Sequence, residues 1–222
     1  MISSLIHNLP VYLMRIPIIL LSLTVHETAH GYMAYKLGDT TARDMGRLSL
    51  NPLKHLDPIG TLCMLLFGFG WATPVPIDTR HFKHRRLDMA LTALAGPVSN
   101  LLMAFAGVFL YALSFRWLYP SYMGGSTLAY SALLFMQIFY TLNLCFAVFN
   151  LIPIPPLDGS RVLLVFLPDK LYFGVMKYER YIMLAMMVLM FFTDIVSRTV
   201  GVLVSMLENG MFYVVSLLPF IG

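Results

Sequence analysis

Long apolar runs alternate with short polar, proline-bearing stretches along the whole chain. A bilayer-crossing helix needs about 20 apolar residues. Residues 11–37, 89–118, 127–150 and 181–206 reach that length, the last interrupted by Asp194 and Arg198. Pro17 kinks the first run and Gly38-Asp39 ends it. Residues 38–57 are polar and turn-rich, with Arg47-Leu48-Ser49-Leu50 expected as a short strand. Residues 58–70 are apolar but short, which predicts a short or re-entrant helix lying against other helices. Residues 71–79 carry Pro74 and Pro76 and are expected to be extended or turned. A basic loop follows at 80–88, and a polar turn at 119–126 joins the second and third spans. Pro153, Pro155 and Pro156 prevent 151–160 from continuing a regular helix. Residues 161–180 read as an interfacial or short helix, and 211–221 as an interfacial segment. The pattern predicts an all-α integral membrane protein. It is a polytopic helical bundle of about four to six membrane segments, with short extended segments between the first helices. Residues 1–222 form a single domain, with a core at about 11–160 and C-terminal helices at 161–222.

Composition supports a membrane chain. The 222 residues are 59% hydrophobic and 12% charged, with mean hydropathy +0.76; soluble domains carry about 25% charged residues. The first residues lack a basic leader and a cleavage site, so the first apolar run is expected to stay as a helix. A net charge of +4 would suit a nucleic-acid partner if it were spread over one surface. Instead, 12 of the 15 Lys and Arg residues fall in 36–54, 80–86 and 161–180, which is the positive-inside signature of cytoplasmic loops. That distribution argues against nucleic acid and orients the chain. The first span runs inward, 89–118 outward and 127–150 inward again. Cys63 and Cys145 lack a CxxC spacing and read as buried free thiols.

The chemistry begins in the first span, at His26-Glu27-Thr28-Ala29-His30. Residues four apart share one helix face, so His26 and His30 can put two ring nitrogens on one metal ion. Glu27 lies beside that ion, placed to deprotonate a water without being a ligand. Zinc hydrolysis needs that set. A five-residue pattern also arises by chance, and a third ligand is needed. Two imidazoles and a carboxylate in lipid, however, are costly unless they serve a function.

Asp158 is the leading third ligand. The topology puts Asn150 to Asp158 on the same side as the His pair, after a proline-broken segment. Such backbone is tolerated at membrane depth where it lines a protein cavity. The competing reading makes Asp158 the N-cap of a helix opening at Gly159. Asp44 and Asp88 fall in solvated loops, and Asp194 pairs more simply with Arg198. A Glu ligand would have to be Glu179 or Glu208, and neither sits in a ligand motif.

The chain resembles the site-2 protease family of intramembrane zinc metalloproteases. The resemblance rests on His26-Glu27-x-x-His30, on Gly96-Pro97-x-x-Asn100, and on Asn150-x-x-Pro153-x-Pro155-x-Leu157-Asp158-Gly159. Gly70-Trp71-Ala72-x-Pro74-Val75-Pro76 is similar to the compact prokaryotic branch. These motifs cover residues 26–159 in the family's order. The resemblance implies one Zn2+ per chain on His26, His30 and Asp158, with Glu27 as general base. It implies Asn150 as a hydrogen-bond donor near the scissile carbonyl. Asn100 is either part of the catalytic machinery or interhelical glue at a small-residue crossing. The implied substrate is a transmembrane helix of another protein, cut within or near the bilayer. The implied location is a prokaryotic cell membrane, with the site toward the cytoplasm. Two departures stand out. There is no room for the PDZ or CBS domain of larger members, which leaves gating to the chain's own loops or a separate regulatory partner. Residues 1–10 are also too short for a full span before the His-bearing helix.

A substrate helix must unwind before its peptide bond is open to attack. The segments at 73–76 and 153–156 are either turns or extended edges that pair with an unwound substrate. His81 and His84 belong to a basic, solvated face rather than a second metal pair. The alternative function is a non-proteolytic membrane zinc-binding or transport protein. A transporter would show paired broken helices and repeats, which this sequence lacks.

Overall fold

The structure is a computed structural model and describes residues 2–67 and 73–219. Nine α-helices follow in order among the described residues. These are α1 (Ile2–Lys36), α2 (Thr41–Asp44), α3 (Pro58–Phe67), α4 (Arg85–Met123) and α5 (Thr127–Asn150), then α6 (Asp158–Leu164), α7 (Asp169–Lys177), α8 (Glu179–Phe192) and α9 (Ile195–Ser216). Four stretches, Leu9–Lys36 within α1 and the whole of α4, α5 and α9, are long and apolar enough to cross a membrane. The protein is an all-α polytopic membrane protein. α4 has 39 residues and is therefore about 58 Å long at 1.5 Å per residue, well beyond a hydrocarbon core of about 30 Å.

α4 is the central helix and packs along α1, α5, α6 and α9. Its buried positions include Ala93, Gly96, Asn100, Ala104, Gly107 and Val108, a mostly small stripe at three- and four-residue spacing. In lipid, helices gain little from apolar burial and associate by close packing, so small residues set the contact. At Gly107 a Cβ would lie 2.8 Å from Phe139 Cδ1 and 2.9 Å from Tyr140 Cβ, both on α5. Below that contact, Ala104 and Val108 join Tyr140, Leu144 and Val148 of α5 and Val204 and Val215 of α9 in one apolar core.

The polar stretch after α1 folds into a cap over the C-terminal part of that helix. Gly38 and Gly46 adopt φ of +109° and +66° and turn the chain after α1 and α2. The Ser49 carbonyl accepts from Thr28 Oγ1 of α1 at 3.0 Å and pairs with the buried His55 ring at 2.7 Å. Thr73 N–H donates to the His55 carbonyl at 2.8 Å, and Arg47 Nη2 donates to the Thr73 carbonyl at 2.7 Å. These bonds hold residues 73–76, which lie outside any helix, beside α1. Asp39, fully buried, ties the ends together. Its carboxylate accepts from Thr41 N–H and Oγ1, from Asp78 N–H at 2.7 Å and from His81 Nδ1 at 3.0 Å.

Several sequence expectations change. Arg47–Leu50 is irregular, and the described residues contain no strand, because its hydrogen bonds go to side chains and loops rather than a neighbouring strand. The polar turn at 119–126 shrinks to 124–126, since α4 continues through Pro120 to Met123. The expected span at 181–206 is broken at Thr193-Asp194. There Thr193 is extended (φ −140°, ψ 153°), and the long helix is instead Ile195–Ser216. Residues 211–216 therefore end α9 rather than form a separate interfacial piece. Asp88 is not in a solvated loop. It is buried in the first turn of α4 and accepts from His84 N–H at 2.8 Å. Residues 68–72, including Gly70-Trp71-Ala72, lie outside the described residues.

Burial alone would push the Asp39 carboxyl up, but the hydrogen bonds from Thr41, Asp78 and His81 outweigh it and hold its pKa below the ordinary value. A depressed carboxyl stabilises the fold fully above its unfolded pKa of about 4, and that contribution is lost as pH falls through the lower folded value. Asp39→Ala should lower the thermal midpoint by the equivalent of about 2 kcal/mol, and it should flatten the acid limb of a midpoint-against-pH curve. Superimposable acid limbs for wild type and variant would refute the hub role.

Candidate metal centre

α1 presents His26 and His30 one turn apart, with ring centroids 4.5 Å apart. Both are buried. Their Nε2 atoms face each other at 3.0 Å. Asp158 Oδ2 approaches the same point, 3.2 Å from His26 Nε2 and 3.3 Å from His30 Nε2. Among the described residues this is the one cluster of three His, Cys, Asp or Glu side chains whose donor atoms lie within 4.8 Å of each other.

The donor chemistry fits a cation. Each ring has its other nitrogen engaged. His30 Nδ1 lies 2.7 Å from the Thr92 carbonyl, which can only accept, so Nδ1 carries the proton and Nε2 a lone pair. His26 Nδ1 lies 2.6 Å from Asn100 Oδ1, which dictates the same tautomer. Two lone pairs and a carboxylate oxygen then converge on one point. Asp158 Oδ2 is buried there with no hydrogen-bond partner. A buried orphan acceptor costs about 1–3 kcal/mol, and a cation bound by all three groups removes that cost.

Glycines allow this convergence. A Cβ at Gly96 would overlap His30 Nε2 and lie 2.6 Å from His26 Cε1, so only glycine lets α4 press against the imidazole pair. A Cβ at Gly159 would strike the Leu151 carbonyl oxygen and lie 2.8 Å from that of Ile152. Gly159 therefore lets α6 fold back under the proline-broken turn and aim Asp158 at α1. Asp158 opens α6, but the N-cap is Leu157 and has no side-chain capping bond. The N-cap reading of Asp158 is thus replaced by an inward-facing carboxylate. Glu27, beside His26, accepts from Val75 N–H at 3.0 Å through Oε2. Asn150 ends α5, its Nδ2 donating to the Phe146 carbonyl at 3.0 Å. Asn100 is fully buried and touches His26 directly, rather than serving only as a helix–helix contact.

The rival carboxylates are occupied elsewhere. Asp44 pairs with Arg43 at 2.9 Å, Asp194 with Arg198 at 3.7 Å, and Glu179 with Arg161 at 2.7 Å. Glu208 accepts from Tyr140 Oη at 3.1 Å. His81 is paired with Asp39, and His84 precedes α4.

Residues 14–193 match peptidase family M50. The chain belongs to peptidase family M50. It is a metallopeptidase of that family, and the matched range runs from α1 to the end of α8, enclosing the whole cluster. A Bacillus subtilis (strain 168) protein named "Putative zinc metalloprotease YwhC" is 45% identical over 173 residues, 77% of each chain. A Mycolicibacterium smegmatis protein named "Putative zinc metalloprotease Rip2" is 32% identical over 149 residues, covering 65% of this chain and 53% of that one. The Rip2 of Mycobacterium tuberculosis H37Rv is 31% identical over 159 residues, 69% of this chain and 57% of that one. This chain therefore spans just over half the length of the Rip2 proteins. No solved structure matches. The metal these likenesses imply is zinc.

Sequence reasoning missed three partners of the M50 site: Thr92, Val75 and Asn143. The first two act through backbone atoms and leave no mark in side-chain chemistry. Asn143 did leave a signal, an amide inside an otherwise apolar span. It is fully buried and accepts from Asn100 Nδ2 at 2.9 Å.

Gly96→Ala should separate the imidazole pair from α4 and reduce bound zinc per purified chain several-fold, with helix content retained. Wild-type zinc in that variant would show that the pair does not depend on this close approach.

Proposed function

We propose that the protein hydrolyses peptide bonds within or near the transmembrane segments of other membrane proteins, as an intramembrane zinc metalloprotease. The observation that carries this reading is the convergence of His26, His30 and Asp158 beside Glu27, with His26, Glu27 and His30 on a helix of membrane-crossing length. His26, His30 and Asp158 would hold one zinc ion. Bound zinc supplies Lewis-acid polarisation of a carbonyl and makes water nucleophilic at neutral pH.

Glu27 would take the proton from the attacking water and return it to the leaving amine. Its carboxylate is suited to this because it is not a ligand and because Val75 N–H fixes one oxygen, leaving the other free. Asn150, at the inner end of α5, would donate its amide to the scissile carbonyl as charge develops there. Asn100 would hold the His26 ring rather than touch substrate. The segment at 73–76 lies against α1 beside Glu27 and would offer an edge for an unwound substrate strand. The basic clusters support a cell-membrane topology with this site toward the cytoplasm. Access of substrate to the site would be controlled by the chain's own loops or by a separate regulatory partner.

Purified wild type should contain about one zinc per chain, and Asp158→Ala should lose most of it. Full zinc in Asp158→Ala would mean that the third ligand is another residue. Glu27→Gln should keep its zinc and slow cleavage of a single-span substrate by a factor on the order of 100 to 10,000. Equal cleavage by both forms would remove Glu27 from the mechanism. Zinc binding without any cleavage by wild type would favour a non-proteolytic zinc protein.

A further inference from the structure

We propose that Asn143 is a positioning residue for the metal centre, which sets the tautomer of His26 through a directional chain of amides. The proposal rests on the zinc-site reading above. The chain starts at the Phe139 carbonyl, a backbone group that can only accept. Asn143 Nδ2 donates to it at 2.9 Å. That fixes which end of the Asn143 amide points away, so Asn143 Oδ1 faces Asn100 and accepts from Asn100 Nδ2 at 2.9 Å. The Asn100 amide is thereby fixed in turn, and its Oδ1 faces His26 Nδ1 at 2.6 Å. His26 must then carry its proton on Nδ1, and its Nε2 lone pair is directed at His30 and Asp158.

The direction of this chain matters because each amide has two ends of opposite character. If Asn143 turned over, its Oδ1 would face the Phe139 carbonyl and its Nδ2 would face Asn100. Asn100 would turn over as well and present a donor to His26 Nδ1. His26 would respond by placing its proton on Nε2, where it could no longer ligate a cation. Both amides are fully buried between helices, so water cannot substitute for a missing partner. The two ligand histidines are therefore set in different ways. His30 reads a backbone carbonyl directly, that of Thr92. His26 reads the Phe139 carbonyl through two side chains on two helices. This makes His26, but not His30, sensitive to the α4–α5 contact. Loss of the hydrogen-bond partner that orients a ligand histidine typically weakens metal binding by about 10- to 100-fold.

The test is zinc affinity, measured by chelator competition on the purified full chain in detergent, for wild type, Asn143→Leu, Asn143→Asp and Leu144→Ala. Asn143→Leu removes the acceptor facing Asn100 and should weaken zinc about 10-fold. A neutral carboxyl at this position can donate to the Phe139 carbonyl and accept from Asn100. Asn143→Asp should therefore stay within about threefold of wild type, as a conservative rescue of that link. Leu144→Ala, a packing defect at the adjacent buried position, should lower thermal stability and leave zinc affinity unchanged. If Asn143→Leu does not fold, Asn143→Ser takes its place, since serine is too short to reach Asn100. Wild-type affinity in Asn143→Leu would overturn the proposal, as would equal weakening by Asn143→Leu and Asn143→Asp, or by Leu144→Ala. No zinc on wild type would overturn the metal-site reading itself, and the proposal with it.

Discussion

Two imidazoles pressed together inside an apolar bundle need a partner for every nitrogen, because lipid and packed side chains offer none. Much of the structure meets that demand. The Thr92 carbonyl takes one proton and Asn100 the other, which turns both Nε2 atoms toward each other and toward Asp158. That arrangement places two lone pairs and a carboxylate around one point. It is unfavourable in isolation and favourable around a cation, so the same constraint that orders the helices also builds the metal site.

The demand fixes how α4 must pack. Its backbone has to come close enough for Thr92 to reach His30, and only Gly96 permits this at the level of the rings. The small stripe that continues through Ala104 and Gly107 carries the same close approach over to α5. Asn100 sits on that stripe between Gly96 and Ala104, where it can touch α1 on one side and Asn143 of α5 on the other. Packing and polar satisfaction are thus met by one face of one helix.

The loops after α1 solve a related problem at the base. Glu27, beside His26, meets a cap held by Asp39, His55 and Arg47. Val75 N–H donates to Glu27 Oε2, while Pro74 and Pro76 on either side of it have no N–H to donate. That bond holds the partly buried Glu27 carboxylate in place beside His26.

The sequence by itself determined the membrane class, the first three long apolar runs and the pairing of His26 with His30 on one helix face. Those follow from composition and from short-range geometry: apolar length and the four-residue helical repeat. Asp158 was within reach because topology brings a proline-broken segment back to the same side. At Thr193-Asp194 the sequence showed only two charges, Asp194 and Arg198, inside an apolar run, and the backbone conformation shows that the helix stops there. The roles of Val75, Thr92 and Asn143 were not legible, because they depend on where backbone carbonyls and amides end up after helices cross. A side chain declares its chemistry in the sequence. The partner that sets its tautomer, and the glycine that lets two helices meet, are decided only when the chain is packed.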